Sequence, residues 1–503
     1  MKTALVARRS LLIIIVIISI VKILFTITTS LGLFSEEAQY WLWSQNLDWN
    51  YYSKPLMVAV NNFISTSIMG HTDLAVRINA VLYGAATVWV IFELALLMFK
   101  NPKIAFWSGI TLVVMPFFHL ASFFHTTDTS LVFFWALSFY FFWRAIEENR
   151  MVWWGGAGLA TALGMLSKNV MFLSIPAIVV YLLMIDPKKL IQKGFYFYLF
   201  GASLSLLPIL FWNYQHDFVT FKHLGTLGGV QTFGSPLNWG DTFKNVSEFV
   251  LGQGAIISVF FIPLLILIFK RGGQKREKEF YFLLLPAFMS WLLFFGISFL
   301  NRVEVNWPSF AYVQLSICFG WLVANGPRFW KKYIKVATLI SAGFLVFIMN
   351  PSTLDAFGYK RILRPEKDPL ARLAGYREIG KRVDFLKDSL DLKQYFIFSD
   401  NYHFASEMAF YVSGNPQTYV INLGRRKNQF DLWAGISQFE NKGYSGIFVH
   451  RGKDEIPAVQ NGFNRLIYQE IQYPIYRGDT IRIVRIAIYE GLTHIKEVQV
   501  NRY

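Results

Sequence analysis

The 503 residues are 54% hydrophobic and 18% aromatic, with only 16% charged and a formal net charge of +16. Soluble domains carry about 25% charged residues, so this chain lacks the polar groups to cover a globular surface. An integral membrane protein is the class that remains, and a single cysteine, Cys318, excludes a disulfide framework or cysteine-rich metal site.

Apolar runs long enough to cross roughly 30 Å of hydrocarbon recur from the N-terminus toward residue 350. They lie near 11–33, 75–98, 104–122, 129–146, 152–167, 169–185, 195–213, 247–269, 280–300, 305–326 and 333–350. The expectation is a polytopic α-helical membrane protein with about eleven transmembrane helices. The first run is read as a retained helix: it is long for a signal peptide and shows no small-residue cleavage site before Glu36.

Lysine and arginine crowd alternate connections. One set holds Lys2, Arg8 and Arg9; Lys100 and Lys103; Arg144 and Arg150; Lys188, Lys189 and Lys193; Lys270, Arg271, Lys275, Arg276 and Lys278; and Arg328, Lys331, Lys332 and Lys335. The other set holds only Lys54, Arg77, Lys168, Lys222, Lys244 and Arg302. This bias places the N-terminus in the cytoplasm and makes the basic excess a matter of topology and anionic lipid, with no need of nucleic acid.

Residues 1–350 therefore form a transmembrane domain, and an odd number of spans puts 351–503 outside as a small α/β domain. Within that tail the pattern predicts a helix over Asp368 to Leu390, a strand at Tyr395–Ser399 and a helix at His403–Val412. Further strands are expected at Thr418–Leu423, Gly446–His450 and Ile481–Tyr489. In the first outer loop, 34–74, Trp41, Trp43 and Trp49 suit a helix lying in the bilayer interface, and Lys54-Pro55 could start a second.

Polar residues other than the cytoplasmic lysines and arginines gather on the outer side. Glu36 and Glu37 follow the first span, with Tyr51 and Lys54 beyond. His125 and Asp128 precede the fourth span, and Lys168 sits in the turn between the fifth and sixth. Asn213 and His216 follow the seventh; Arg302, Glu304 and Asn306 enter the tenth. Each has an ordinary explanation alone: Asp128 as a helix cap, Lys168 on lipid phosphate, Arg302 and Glu304 as a surface pair. Their convergence on one face at headgroup depth points instead to a site. A carboxylate there can take the proton of an attacking hydroxyl, and a cation can hold a departing phosphate. No Walker A sequence or Gly-rich dinucleotide turn is present in the chain.

Several segments resemble a known family. Ser35-Glu36-Glu37-Ala-Gln-Tyr-Trp, Tyr51-Tyr-Ser-Lys54-Pro55, Thr127-Asp128, Leu166-Ser167-Lys168, Trp212-Asn213-Tyr-Gln-His216 and Asn306-Trp307-Pro308 are similar to the bacterial membrane glycosyltransferases of the GT-C fold. These are relatives of protein O-mannosyltransferases and of the lipid A aminoarabinose transferase. In the tail, Asp368 to Glu378, Ala405-Ser-Glu407-Met-Ala-Phe-Tyr411 and Arg426 to Trp433 look like the bacterial branch. The chain has Glu36-Glu37 where the family usually has Asp-Glu, and Lys54 where many relatives carry histidine.

The resemblance implies inverting transfer of a sugar from an undecaprenyl-phosphate donor to an acceptor outside the bacterial inner membrane, whether lipid A, another glycan or a protein. It implies Glu36 as general base with Glu37 supporting or replacing it, and Asp128 on the acceptor side or at a cation site. Lys54, Lys168 and Arg302 become donor-phosphate ligands; Tyr51, His125, Asn213, His216, Glu304 and Asn306 line the substrate. No metal is expected to be obligatory, though a divalent cation is compatible. The competing class is a lipid or glycan transporter or flippase, which would need polar residues midway through several spans. Here Lys22 is the main one.

Overall fold

The computed structural model describes residues 2–230, 238–275, 278–356 and 358–498, so Arg276 lies outside the described residues. The chain forms two compact units. One comprises Met1–Leu24, Lys54–Val58 and Arg77–Met349; the other comprises Phe25–Ser53, Ala59–Val76 and Asn350–Tyr503. Most of the segment 34–74, which the sequence assigns to the membrane part, thus shares a unit with the tail.

Each of the eleven apolar runs is mostly helical among the described residues, but few are simple spans. Five helices are long and apolar enough to cross a membrane: Lys2–Thr28, Asp73–Phe99, Thr127–Glu148, Lys193–Gln215 and Lys278–Ser298. The first, at about 1.5 Å per residue, reaches roughly 40 Å. It leaves Leu12, Ile13, Val16, Ile17 and Ile20 exposed, an arrangement suited to hydrocarbon rather than water. Its other face is pinned: Arg8 makes two 2.7 Å bonds to Glu93, and Lys22 Nζ donates to the Ser122 hydroxyl at 2.6 Å and carbonyl at 3.0 Å. Lys22 is therefore tied to a neighbouring helix.

Prolines explain two departures from the expected spans. The run 104–122 divides into Pro102–Val113 and Pro116–Ala121, because Pro116 cannot donate within a helix and instead opens a new one. The run 247–269 turns through 86° between Trp239–Ile257 and Val259–Ile268. Ser258 holds φ at +96° there, Pro263 lacks the N–H that would continue the ladder, and Ser258 Oγ meets Ser341 Oγ at 2.9 Å. A single straight span is thus replaced by a corner.

The second unit contains an α/β domain built on a five-stranded mixed sheet. Its strands are β1 (Tyr395–Ser399), β2 (Thr418–Val420), β3 (Ser445–Arg451), β4 (Phe463–Gln472) and β7 (Val484–Leu492), in the order β2-β1-β3-β7-β4. A short ribbon, β5 (Ile475–Tyr476) with β6 (Asp479–Thr480), stands apart. β1 pairs in parallel with β2 and β3, and β7 is antiparallel to β3 and β4. Alternate residues feed opposite faces. Ile397, Ile447 and Ile486 meet Ile379, Val383, Phe404 and Met408 of two helices, while Phe396, Phe398 and Phe448 meet Ile421, Ile436 and Val459.

The helix expected over Asp368 to Leu390 begins late. Asp368 caps a short 3-10 turn, Pro369–Leu373, and Gly375, at φ +90°, breaks the chain before the helix Tyr376–Ser389. Trp41 and Trp43 are not interfacial belt residues: both are buried in the protein, and Trp41 packs edge-on against Phe410 at 4.9 Å. Only Trp49 of the three is exposed.

Candidate functional site

Asp128 lies in the first turn of Thr127–Glu148, but it is not the cap. Thr126 accepts the Asp128 N–H at 3.3 Å, and the Thr129 hydroxyl closes the same turn onto the Ala121 and Phe124 carbonyls at 2.9 and 3.0 Å. The Asp128 carboxylate is thereby left for other partners. Oδ1 receives Lys168 Nζ at 2.7 Å, and Oδ2 receives Asn306 Nδ2 at 2.9 Å.

Lys168 reaches this point because Met151–Ser167 ends there in extended backbone, with a 3-10 turn following. Gly164 allows the tight return: a Cβ on it would meet Met171 Sδ at 2.8 Å. Both partners of the ion pair are near 14% exposed, Lys168 at 13% and Asp128 at 14%, so the charges are only weakly screened. Three segments distant in sequence thus converge on one carboxylate. With both oxygens engaged, Asp128 is suited to fixing Lys168 rather than to removing a proton. The ammonium has three donors, which leaves it capacity for a phosphate oxygen.

Lys168→Ala would strand the Asp128 charge beside Asn306. It is expected to cost about 1–3 kcal/mol, with the double variant D128N/K168M recovering much of that loss. Thermal unfolding in a double-mutant cycle measures the coupling. A value near zero would make the pair a solvated one.

The other candidates of this unit take different places. Arg302 is exposed and lies 3.5 Å from Glu248, not Glu304, which is itself exposed. Asn213 is buried and staples a turn, donating to Ile209 O at 2.9 Å and accepting from Thr220 N at 3.2 Å. His216 stacks on Trp212 with ring centres 3.9 Å apart. His125 is fully buried, and Lys54 is half-buried just before Pro55.

In the second unit Glu36 and Glu37 open the helix Ser35–Gln45, but their environments differ. Glu37 is buried and its Oε2 accepts the Phe34 N–H at 2.9 Å, the carboxylate half of a capping box. Glu36 is half-buried and close enough to Tyr402 for its charge to act there, after burial, in pushing the Tyr402 phenol up to about 12. Geometry therefore separates the pair into a structural carboxylate and a candidate base. Tyr51 is buried, stacks on Trp43 at 4.5 Å and donates to the Trp43 carbonyl at 3.0 Å, so it braces the end of this helix.

A network that the sequence reading did not assign holds the same helix at its start. The Tyr411 hydroxyl accepts the Leu33 N–H at 2.6 Å and donates to Asp73, which also receives Arg377 at 2.9 Å. Gly32 is required beside it: a Cβ would lie 2.6 Å from the Tyr411 hydroxyl. Glu407, one turn before Tyr411, is wholly buried. Burial drives its carboxyl well above the usual carboxylate range, a shift opposed by Ser35 and Arg482 and reinforced by Asp73 and Glu37. The signal available in sequence was a glutamate within the otherwise apolar Ala405-Ser-Glu407-Met-Ala-Phe.

A raised carboxyl stabilises the fold while protonated and loses that contribution as pH rises through its elevated pKa. Glu407→Gln keeps the shape of the neutral acid. It is expected to leave Tm unchanged at pH 5 and raise it at pH 9, by differential scanning fluorimetry; a gain confined to acid pH would contradict the assignment. No group of three His, Cys, Asp or Glu side chains gathers at one point among the described residues.

With fold and geometry in place, comparisons give the class. Residues 53–212 match the family model described as dolichyl-phosphate-mannose-protein mannosyltransferase. ArnT of Cupriavidus metallidurans, solved with undecaprenyl phosphate bound, superposes with a TM-score of 0.64 at 13% identity, over 94% of this chain and 97% of that one. Its apo form gives 0.63 at 14% identity. The protein is thus a membrane glycosyltransferase of the GT-C fold.

The sequence relatives are more particular. Lipid A galacturonosyltransferase RgtD of Rhizobium johnstonii is 28% identical over 355 residues, 70% of this chain and 72% of that protein. The undecaprenyl phosphate-alpha-4-amino-4-deoxy-L-arabinose arabinosyl transferase of Pectobacterium carotovorum is 24% identical over 323 residues. The chain spans 55% of the length of that second relative.

Proposed function

We propose that the protein transfers one sugar, with inversion, from an undecaprenyl-phosphate donor to an acceptor of the lipid A class outside the cytoplasmic membrane. The observation that carries the site assignment is Lys168, held at a helix end by Asp128, whose other oxygen accepts from Asn306, as a fixed cation with donors to spare. Similarity to the galacturonosyl and aminoarabinosyl transferases supports the donor and acceptor classes.

Glu36 takes the proton of the acceptor hydroxyl as its oxygen attacks the anomeric carbon. The bond from that carbon to the phosphate oxygen breaks, and polyprenyl phosphate departs with the electron pair. Lys54 and Lys168 stabilise the charge that grows on it. Arg302 is a third candidate for the same phosphate. The N-terminus is cytoplasmic, about eleven segments cross the membrane, and the tail is extracytoplasmic, as the distribution of lysine and arginine supports.

Purified protein in detergent, given a short-chain polyprenyl-phosphate sugar and lipid A, is expected to form a glycosylated product detectable by mass spectrometry. A transporter has no sealed compartment in that assay and would form none.

A further inference from the structure

Half of the described arginines of the second unit, Arg465 among them, are matched to carboxylates. Arg377 meets Asp73, Arg382 meets Glu470, Arg425 meets Asp431, Arg477 meets Asp355 and Asp368, and Arg485 meets Glu455. Arg372, Arg426, Arg451 and Arg482 have no carboxylate at ion-pair distance among the described residues. Topology brings these four to one end of the sheet.

β1 and β3 run parallel, so Ser399 and Arg451 end at the same edge, where His450 Nδ1 lies 3.1 Å from Asp400. β2, parallel as well, ends at that edge, and its outgoing segment carries Arg426. The Gly452 N–H donates to Ile483 O at 3.0 Å, which sets Arg482 beside the end of β3. Arg482 in turn donates to the Ala371 carbonyl, next to Arg372, and lies 4.4 Å over the Tyr376 ring. Tyr376 packs on Phe404 at 5.5 Å, in the first turn of the ten-residue helix Tyr402–Tyr411. At the centre stands His403, which burial, then Arg372, Arg451 and Arg482, lower to about 4. The charges of Arg426 and Glu36 both reach adjacent Tyr402.

Unmatched guanidiniums held this close repel one another, and a bidentate oxyanion relieves the repulsion. The N-terminal end of the helix adds a favourable dipole. We propose that Arg372, Arg451 and Arg482, with Arg426 alongside, form an oxyanion cradle that takes a phosphate group carried by the acceptor and so sets the acceptor hydroxyl beside Glu36. This rests on the transferase reading above and adds to it where the acceptor is recognised. His403, neutral at physiological pH, contributes a hydrogen bond without adding to the repulsion.

The test uses the full-length protein in neutral-lipid nanodiscs, without donor, and measures binding of bisphosphorylated lipid A and of the same lipid dephosphorylated. The wild type is expected to favour the phosphorylated form by about tenfold or more, and R372A/R451A to lose that preference. Arg372→Glu, a change at an exposed position, is expected to do the same should the double variant fold poorly. In the transfer assay the variants are expected to raise acceptor KM about tenfold with donor KM unchanged. Equal binding of the two lipids by the wild type would overturn the proposal. So would a rise in donor KM, which would assign the cluster to the donor phosphate, or equal displacement of the lipid by phosphatidylglycerol, which would make it a general membrane contact. A binding preference that persists while no acceptor is glycosylated would instead refute the transferase reading and leave the cradle standing.

Discussion

Glu36→Gln is expected to lower kcat for sugar transfer by about 10²–10⁴-fold, the range that a positioned general base contributes. Donor KM should change little, because the substitution preserves shape and removes only the proton acceptor. Glu37→Gln is the control that discriminates. Its carboxylate accepts the Phe34 N–H inside the protein, so the amide should lower Tm while keeping most of the turnover of the fraction that folds. If instead Glu37→Gln abolished turnover and Glu36→Gln kept it, the roles of the two carboxylates would have to be exchanged. Titrating kcat against pH in the wild type and in Glu36→Asp adds a further check, since a shorter base at the same place should lower the rate without removing the acid limb.

Asp73→Ala is expected to destabilise the second unit by about 2–4 kcal/mol. It removes the shared acceptor of Tyr411 and Arg377 and leaves a phenol and a guanidinium without it. Asp73→Asn should recover part of the loss, because the amide oxygen still accepts from one of the two donors. The substitution also reaches Glu36 indirectly: Tyr411 holds the Leu33 N–H, three residues before the candidate base. Reduced kcat at temperatures well below the lowered Tm, with KM intact, is the expected signature of a positioning defect. Chemical denaturation and initial rates at 20 °C measure the two effects separately.

The membrane nature of the chain and the main strands of the tail were legible because they rest on local pattern. Tyr395–Ser399 was marked by a continuous apolar run between turn residues, and it is buried on both faces as the central parallel strand. β4 was missed because it is an edge strand, where Asn464, Arg465 and Gln469 are exposed and the apolar alternation is interrupted by a bulge between Leu466 and Tyr468. The broken runs at Pro116 and Ser258 were hidden by high apolar content, which reports burial in hydrocarbon and says nothing of backbone continuity.

At the site, sequence could identify Asp128, Lys168 and Asn306 as polar residues at helix ends, but not that Thr126 would do the capping and release Asp128 for the lysine. Tyr51 and Asn213 carry polar atoms that pointed toward a substrate, yet both are engaged by backbone groups of their own segments. Asp73, Arg377 and Tyr411 are far apart along the chain, and only folding shows that they are partners. Capping and pairing are decided by which donors and acceptors are left over, a question that local spacing does not answer.

The corner at Ser258 restricts how that stretch of chain can meet its surroundings. Where Trp239–Ile257 stops, its last four carbonyls lose their intrahelical donors, and acyl chains offer none in exchange. Ile257 and Ser258 are accordingly shielded by protein, each at 5% exposure. At those two residues protein atoms take the place an acyl chain would otherwise fill, so the surrounding lipid is held off the point of the turn.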